Sequence, residues 1–281
     1  MTDISGTTRI FPVIGWPVEQ VKAPALFNAY FQRHGLDARV VPLKVAPASY
    51  AAAVRMLMSF ENVGGIFVSI PHKPASVGAV QVATPRAALA GACNAIYRDA
   101  DGVLTGDLID GEGFIRAFDR LCAGHAPRPA TSRALVVGTG GVGCAIAYAL
   151  AERGYAEVAI CDTRPEPAAA LQARLRQAFP AVRIVLGTPQ AAGYDVVVNA
   201  TPLGMHADDA VPIDLQDVSP DCVVADCGMK IEMTGLLRQA QERGCRIQKG
   251  KEMLIEQAPL YLERFGWTGV SSDAFRALEA L

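Results

Sequence analysis

Residues 133–150, R-A-L-V-V-G-T-G-G-V-G-C-A-I-A-Y-A-L, constrain the fold more than any other stretch of the chain. The short apolar run 134–137 predicts a buried parallel strand. Gly138, Gly140 and Gly143 follow with G-x-G-x-x-G spacing. The Ala- and Leu-rich run 144–153 then predicts a helix stopped by Gly154. A second apolar run, 158–161, ends at Asp162, close to the roughly 20-residue distance at which dinucleotide folds place an acidic group. The chemistry explains the spacing. Gly138 permits a tight strand-to-helix turn, Gly140 lets the backbone approach a pyrophosphate, and Gly143 lets the helix pack on the strand. The helix start offers unpaired N–H groups and partial positive charge to phosphates. Gly138, Thr139, Gly140, Gly141 and Val142 are therefore the candidate phosphate cradle. Asp162 is the candidate acceptor for the adenosine ribose hydroxyls, with Thr163 and Arg164 beside it as further candidate cofactor contacts. A bare glycine turn is common in α/β folds; strand, glycines, helix, strand and acid in that order assign a nucleotide site.

Alternating elements run through the rest of the chain. Residues 10–14, 38–42 and 65–70 predict strands, the last cut off by Pro71, and 24–34 and 47–60 predict helices. A short helix is expected over 84–91, and an edge hairpin over 92–97 and 103–104 around Asp99-Ala-Asp-Gly102. Residues 110–123 predict a helix joining two domains. Beyond the glycine-rich unit, strands are expected over 181–186, 194–199, 222–226 and 246–248. Helices are expected over 166–179, 235–244, 253–265 and 272–281. This alternation predicts an α/β protein of two parallel-sheet layers with a cleft between them. A substrate domain is expected over 1–109 and 251–281, and a Rossmann-type dinucleotide-binding domain over 110–250.

Composition narrows the function classes. The 281 residues are 51% apolar, enough for two cores, and a net charge of −2 without a basic block argues against nucleic acid. No apolar run reaches membrane length and no charged-then-apolar leader is seen, which predicts a soluble cytoplasmic protein. Seven cysteines with no C-x-x-C pair, and histidines without H-E-x-x-H spacing, give a metal site no support.

A nicotinamide cofactor calls for a general acid/base at the substrate hydroxyl. Ligands of open α/β sheets bind just past strand ends, where Lys73 and Asp110 stand. A lysine whose pKa falls on burial can exchange the proton, while an aspartate orients the hydroxyl and balances charge. The plainer alternatives are a surface lysine and an ordinary helix cap at Asp110. His72 reads as a partly exposed histidine and Cys144 as a small packing residue. Met205 and Cys227, past strand ends, read equally as nicotinamide contacts or as core.

With these residues in place, the chain resembles the shikimate/quinate dehydrogenase family along nearly its whole length. Val68-Ser-Ile-Pro-His-Lys73 is similar to that family's V-T-x-P-x-K, which ends in the catalytic lysine. Ala90-Gly-Ala-Cys-Asn-Ala95 is similar to A-G-A-x-N-T, and Gly106-Asp-Leu-Ile-Asp-Gly111 to G-x-N-T-D-G with its catalytic aspartate. Asn199-Ala-Thr-Pro-Leu-Gly204 is close to N-A-T-x-x-G, which lines the nicotinamide half of the cofactor site. Gly250 and Met253-Leu-Ile-Glu-Gln-Ala258 resemble the closing motif, whose glutamine touches substrate. The resemblance implies Lys73 and Asp110 as the catalytic pair and Ser69, Asn94 and Gln257 at the substrate. It also implies Asn199, Ala200, Thr201, Pro202 and Gly250 at the cofactor. A small hydroxylated substrate is expected, with a homodimer as one possible assembly.

Departures from the family pattern carry as much weight. Val21 and Ala23 occupy the places of two serines that hold the substrate carboxylate in H-S-x-S-P. Phe67 replaces an asparagine, Leu108 and Ile109 replace N-T, Ala95 a threonine, and Met229 a substrate-facing tyrosine. A hydrogen bond to a charged group is worth about 1.5–3 kcal/mol, and each 1.4 kcal/mol is about tenfold. The expectation is retained hydride chemistry with weak or altered shikimate activity, unless Ser69, Asn94, Lys22 and Gln257 rebuild the carboxylate site. An NAD-binding sensor without catalysis is a further alternative. Where NADP-using members carry N-R-T-x-x-R, this chain has Asp162-Thr-Arg-Pro-Glu-Pro167. A carboxylate there favours a free 2′-hydroxyl, and hence NAD over NADP, with Arg164 as the counter-argument.

Overall fold

The computed structural model describes residues 4–206 and 208–278. The chain divides into two compact units, residues 1–109 with 257–281 and residues 110–256. The second join lies inside the helix Gly250–Arg264 and not ahead of it.

The first unit contains β1 (Arg9–Gly15), α1 (Ala23–Arg33), β2 (Ala38–Lys44), α2 (Tyr50–Leu57), β3 (Ile66–Val68), β4 (Val82–Ala83), α3 (Pro85–Ala90), β5 (Ala95–Arg98) and β6 (Leu104–Asp107). Their sheet order is β2-β1-β3-β5-β6-β4. Strands β1, β2 and β3 run parallel, but β5 is antiparallel to both β3 and β6. The sheet is therefore mixed, which corrects the expected parallel layer. The β5–β6 hairpin is also not the edge, because the two-residue β4 pairs outside β6. The short turn explains the reversal. Asp99 Oδ1 accepts from the N–H groups of Asp101 and Val103, and Gly102 takes a left-handed φ of 75°. A connection this short can only join antiparallel neighbours.

An aromatic cluster fills the core of this unit. Phe67 lies 4.8 Å from Phe27, 4.5 Å from Tyr261 and 5.0 Å from Phe265, ring centre to ring centre. A buried polar knot sits beside it. Asp107 accepts from Thr84 Oγ1 at 2.7 Å, Arg86 Nε at 2.7 Å, Arg86 Nη2 at 2.6 Å, Arg264 Nε at 3.0 Å and its neighbour Leu108 N–H at 2.8 Å. One carboxylate thereby ties α3, β6 and the helix Gly250–Arg264 together.

The second unit contains α4 (Asp110–Leu121), β7 (Arg133–Val137), α5 (Gly141–Glu152), β8 (Glu157–Cys161), α6 (Pro165–Ala178), β9 (Arg183–Leu186), β10 (Val196–Asn199), β11 (Val223–Asp226), α7 (Gly235–Glu242) and β12 (Arg246–Gln248). Helix α8 (Gly250–Arg264) begins here and ends in the first unit. The sheet is wholly parallel with order β12-β11-β10-β7-β8-β9, so the chain reverses direction across the sheet between β7 and β10. Ligands of such sheets bind outside the carboxyl ends of the strands at that switch point. Helix α5 starts at Gly141, earlier than the expected 144, so its first turn directly follows the open glycine. Gly111 of α4 presses on α5, where an added Cβ would strike the Ala145 carbonyl oxygen. The last helix, α9 (Ser272–Arg276), is shorter than the expected 272–281, of which 279–281 lie outside the described residues. Among the described residues no helix is long and apolar enough to cross a membrane.

Burial pushes the Asp107 pKa up, but the bonds from Arg86, Thr84 and Arg264 outweigh it and hold the group at about 2. Because the folded value is depressed, the stabilisation is complete above the unfolded value of about 3.9 and lost as pH falls through about 2. Asp107→Asn leaves two arginines facing a neutral group and is expected to cost about 3–5 kcal/mol in urea unfolding at pH 7. The loss should shrink as the pH of the unfolding series is lowered below about 4, and a pH-independent loss would place the effect elsewhere.

Candidate functional site

In the second unit the site begins at the turn after β7. Gly138 has φ 102°, and an added Cβ would meet the Ala200 carbonyl carbon and oxygen at 2.8 Å and Thr201 N at 3.0 Å. The turn thus packs on the start of the loop after β10. At Gly143 an added Cβ would strike the Gly138 carbonyl oxygen, so only glycine lets α5 pack this close. Gly140 is different: no heavy atom lies within 4 Å of the position of its missing Cβ. That open space, beside the unpaired N–H groups of α5, fits an approaching pyrophosphate. Cys144 is buried as expected, its Sγ 3.2 Å from the Thr139 carbonyl.

Asp162 is bonded within its own unit. Its Oδ2 accepts from Thr139 N–H at 2.7 Å and Thr139 Oγ1 at 2.6 Å, and its Oδ1 accepts from Arg164 N–H at 2.9 Å. Burial pushes this carboxyl up, but these bonds outweigh it and hold the pKa at about 2. The carboxylate braces the glycine turn. Beside it Arg164 is largely exposed, with Nε 3.4 Å from Asp162 Oδ1. Thr163 is exposed as well.

The loops after β10 and β11 are organised from within. Asn199 is fully buried: its Oδ1 accepts from Thr201 N–H at 3.0 Å and Thr201 Oγ1 at 2.7 Å, and its Nδ2 donates to Leu203 O at 2.9 Å. It shapes the Ala200–Pro202 loop through these bonds. Asp226 and Thr234, both buried, complete this arrangement and were missed in the sequence. Their signals were present: Asp226 ends an apolar strand as Asp162 nearly does, and Thr234 is a hydroxyl just before a helix. Met205 and Cys227 are half-buried, and Gly250 packs so closely that an added Cβ would strike the Gly228 carbonyl oxygen. Met229, on the same loop as Cys227, is half-buried too.

In the first unit the strand ends bring Ser69, Lys73 and Asn94 to one edge. Ser69 N–H donates to Ile14 O at 2.8 Å, joining the ends of β1 and β3. His72 is 1% exposed, which corrects the expectation of a partly exposed residue. Its ring stacks on Tyr50 at 4.5 Å and 6°, and its Nε2 lies 2.8 Å from Val45 O. A carbonyl only accepts, so Nε2 carries the hydrogen. Burial lowers the His72 pKa. Ser76 Oγ donates to His72 O at 2.9 Å and meets Tyr50 OH at 2.5 Å. The segment bearing Lys73 is therefore clamped on both sides of the lysine, and Lys73 O accepts from Cys93 N–H at 2.9 Å.

Asn94, next in the chain after Cys93, is fully buried. Its Oδ1 accepts from Ile109 N–H at 3.0 Å, while its Nδ2 has no hydrogen-bond partner. Such an orphaned donor costs on the order of 1–3 kcal/mol unless a ligand oxygen meets it. Gln257 is buried on α8 and Asp110 is buried as the first residue of α4. Of the apolar replacements, Val21 and Ala23 are half-buried, whereas Phe67, Ala95, Leu108 and Ile109 belong to the core. Lys22, between the first two, is exposed.

Residues 13–96 match the family model described as the shikimate dehydrogenase substrate binding domain. The shikimate dehydrogenase (NADP(+)) of Acidiphilium cryptum strain JF-5 is 37% identical over 281 residues, covering 99% of this chain and 98% of that protein. A crystal structure of shikimate dehydrogenase in complex with NADP+ is similar at TM-score 0.86 and 25% identity, covering 98% of this chain and 96% of that one. The ligand-free 5-ketofructose reductase of Gluconobacter sp. strain CHM43 matches at TM-score 0.86 and 25% identity, with 98% of each chain covered. These findings overturn the expectation of NAD, since the Acidiphilium relative is named for NADP(+) and the solved shikimate dehydrogenase holds NADP+. The physical reason lies in the bracing of Asp162: its oxygens serve the turn, and the exposed group at this position is the Arg164 guanidinium.

Two glycine substitutions separate packing from ligand approach. Gly140→Ala should leave the melting temperature unchanged but weaken NADPH binding at least tenfold by fluorescence titration, because its Cβ enters only the open space. Gly143→Ala should lower the melting temperature and abolish binding together. Wild-type affinity in Gly140→Ala would remove the turn from the phosphate site.

Proposed function

Because the chain belongs to the shikimate dehydrogenase family, we propose that it is an NADP-dependent dehydrogenase acting on a hydroxylated small molecule that need not carry a carboxylate where shikimate does. The buried, unpartnered Nδ2 of Asn94, one residue along from Cys93 whose N–H holds the Lys73 carbonyl, carries this reading. With Oδ1 committed to Ile109 N–H, the amide presents only a donor, the group suited to a substrate hydroxyl or carbonyl oxygen.

NADP, when bound, supplies or accepts the hydride. Lys73 takes the hydroxyl proton at Nζ during oxidation and returns it during reduction, and Asp110 orients the hydroxyl and balances the lysine charge. Asn94 donates to a substrate oxygen, Gln257 orients a neighbouring hydroxyl, and the Ser69 hydroxyl gives a further contact. On the cofactor side the N–H groups of Gly138 to Val142 would hold the pyrophosphate. Arg164, assisted by the Thr163 hydroxyl, would pair with a 2′-phosphate.

Substrate choice follows from Val21 and Ala23. Replacing two hydroxyl donors to a carboxylate by apolar groups removes at least a few kcal/mol, at about 1.5–3 kcal/mol each. That corresponds to a hundredfold or more in binding. The solved neighbour named as a 5-ketofructose reductase supports this reading, since the same fold there serves a substrate other than shikimate. Exposed Lys22, between the two replacements, favours the second reading: an authentic shikimate or quinate dehydrogenase with a rebuilt carboxylate site.

Turnover of shikimate, quinate and a panel of carboxylate-free polyols and their ketones, with NADP and NAD, tests the proposal. A carboxylate-free substrate should exceed shikimate at least hundredfold in kcat/KM, with NADP preferred. Arg164→Ala should raise the KM for NADP at least tenfold and leave NAD nearly unchanged. Lys73→Ala should lower kcat by about 10²–10⁴. Shikimate as the best substrate would establish the second reading, and unchanged turnover in Lys73→Ala would remove the proposed acid/base.

A further inference from the structure

Asp226 is a buried carboxylate outside the proton chemistry above, and its side-chain partners are all neutral donors. Oδ2 accepts from Thr234 Oγ1 at 2.8 Å and Asn199 Nδ2 at 3.2 Å, and Oδ1 accepts from Gly228 N–H at 2.8 Å. Among the described residues no cation bonds this side chain, and burying so polar a group is a costly way to stabilise a fold where apolar packing would serve as well or better. What the carboxylate does well is accept three bonds at once from two segments, the end of β10 and the loop after β11.

Those segments converge on one rim. Asn199 shapes the loop after β10 through Thr201 and Leu203, and the Asn199 carbonyl accepts from Cys227 N–H at 2.9 Å. Gly228 N–H fixes the loop after β11, onto which Gly250 packs. The Ala200–Thr201 peptide in turn lies against Gly138 of the phosphate turn. In a doubly wound sheet the two nucleotide halves lie on opposite sides of the switch point. The glycine turn and Asp162 belong to the β7-β8-β9 side, and the loops fastened by Asp226 to the β10-β11-β12 side.

We propose that Asp226 is a positioning residue: with Thr234, it holds the loops after β10 and β11 in the shape that receives the nicotinamide half of the dinucleotide. The proposal rests on the reading of this sheet as an NADP site. It assigns Asp226 an effect on one half of the cofactor and none on the other. In Asp226→Asn one of the two acceptors becomes an NH2 that faces either Gly228 N–H or the donors of Asn199 and Thr234, so the rim loses part of its clasp while the adenosine side keeps its own.

The test compares affinity for NADPH with affinity for adenosine 2′,5′-bisphosphate, which lacks the nicotinamide half, in the full-length protein. Melting temperatures are recorded alongside. Wild type should bind NADPH the more tightly. Asp226→Asn and Thr234→Val should each weaken NADPH at least tenfold and leave the bisphosphate within twofold, and Thr234→Ser, which keeps the hydroxyl, should restore NADPH binding. Parallel loss of both ligands in the variants that remain folded, or no loss of either, would overturn the proposal. Wild-type protein that binds neither ligand would overturn the NADP reading beneath it, and the proposal with it.

Discussion

Among the glycines of the second unit, Gly143 leaves the least room for a side chain, because an added Cβ would strike the carbonyl of Gly138. That contact forces α5 to leave β7 through a turn with no side chain in the way. The open face at Gly140, the bracing of Thr139 by Asp162 and the seating of Ala200 against Gly138 all follow from it. Each is a consequence of space rather than of strong individual bonds. An added methyl at Gly138 or Gly143 has to displace backbone, which a close-packed interior resists.

The first unit solves a different problem, that of presenting polar groups from a core that is otherwise aromatic. Asp107 gathers two arginines and a threonine beneath the sheet edge, and its own carbonyl accepts from Asn94 N–H at 2.9 Å. The Asn94 side chain is then oriented by Ile109 N–H, which leaves one donor to spare. Lys73 is set by the His72–Tyr50 stack on one side of the chain and by Cys93 N–H on the other. Apolar residues at 67, 95, 108 and 109 deepen the core without disturbing this arrangement. That explains how polar positions of the family pattern can be lost there while the strand ends keep their geometry.

The dinucleotide half was legible in the sequence because every step of it is local: an apolar strand, a turn of glycines, an Ala-rich helix, a second strand. The first sheet was less so. Strand direction is not written in apolar runs, and β3 and β4 are too short to show a period, at three and two residues. Candidate residues for both halves of the site were named from motifs, yet their roles depended on partners far along the chain. His72 was misjudged because Tyr50 and Val45, which bury it, are distant in sequence. The bracing of Thr139 by Asp162 was not legible, because a carboxylate past a strand end can bond a ribose, a backbone or both. Asp226 and Thr234 carried weak signals that gain meaning once Asn199 and Gly228 are seen to share one carboxylate.

Hydride transfer is the central claim, and isotope labelling tests it most directly. The ketone of the best substrate is reduced with NADPH deuterated at the reactive C4 position, and the product alcohol is examined by mass spectrometry and proton NMR. The expected result is one deuterium at the new carbinol carbon and none elsewhere. Product without deuterium, or no product from any ketone offered, would contradict it.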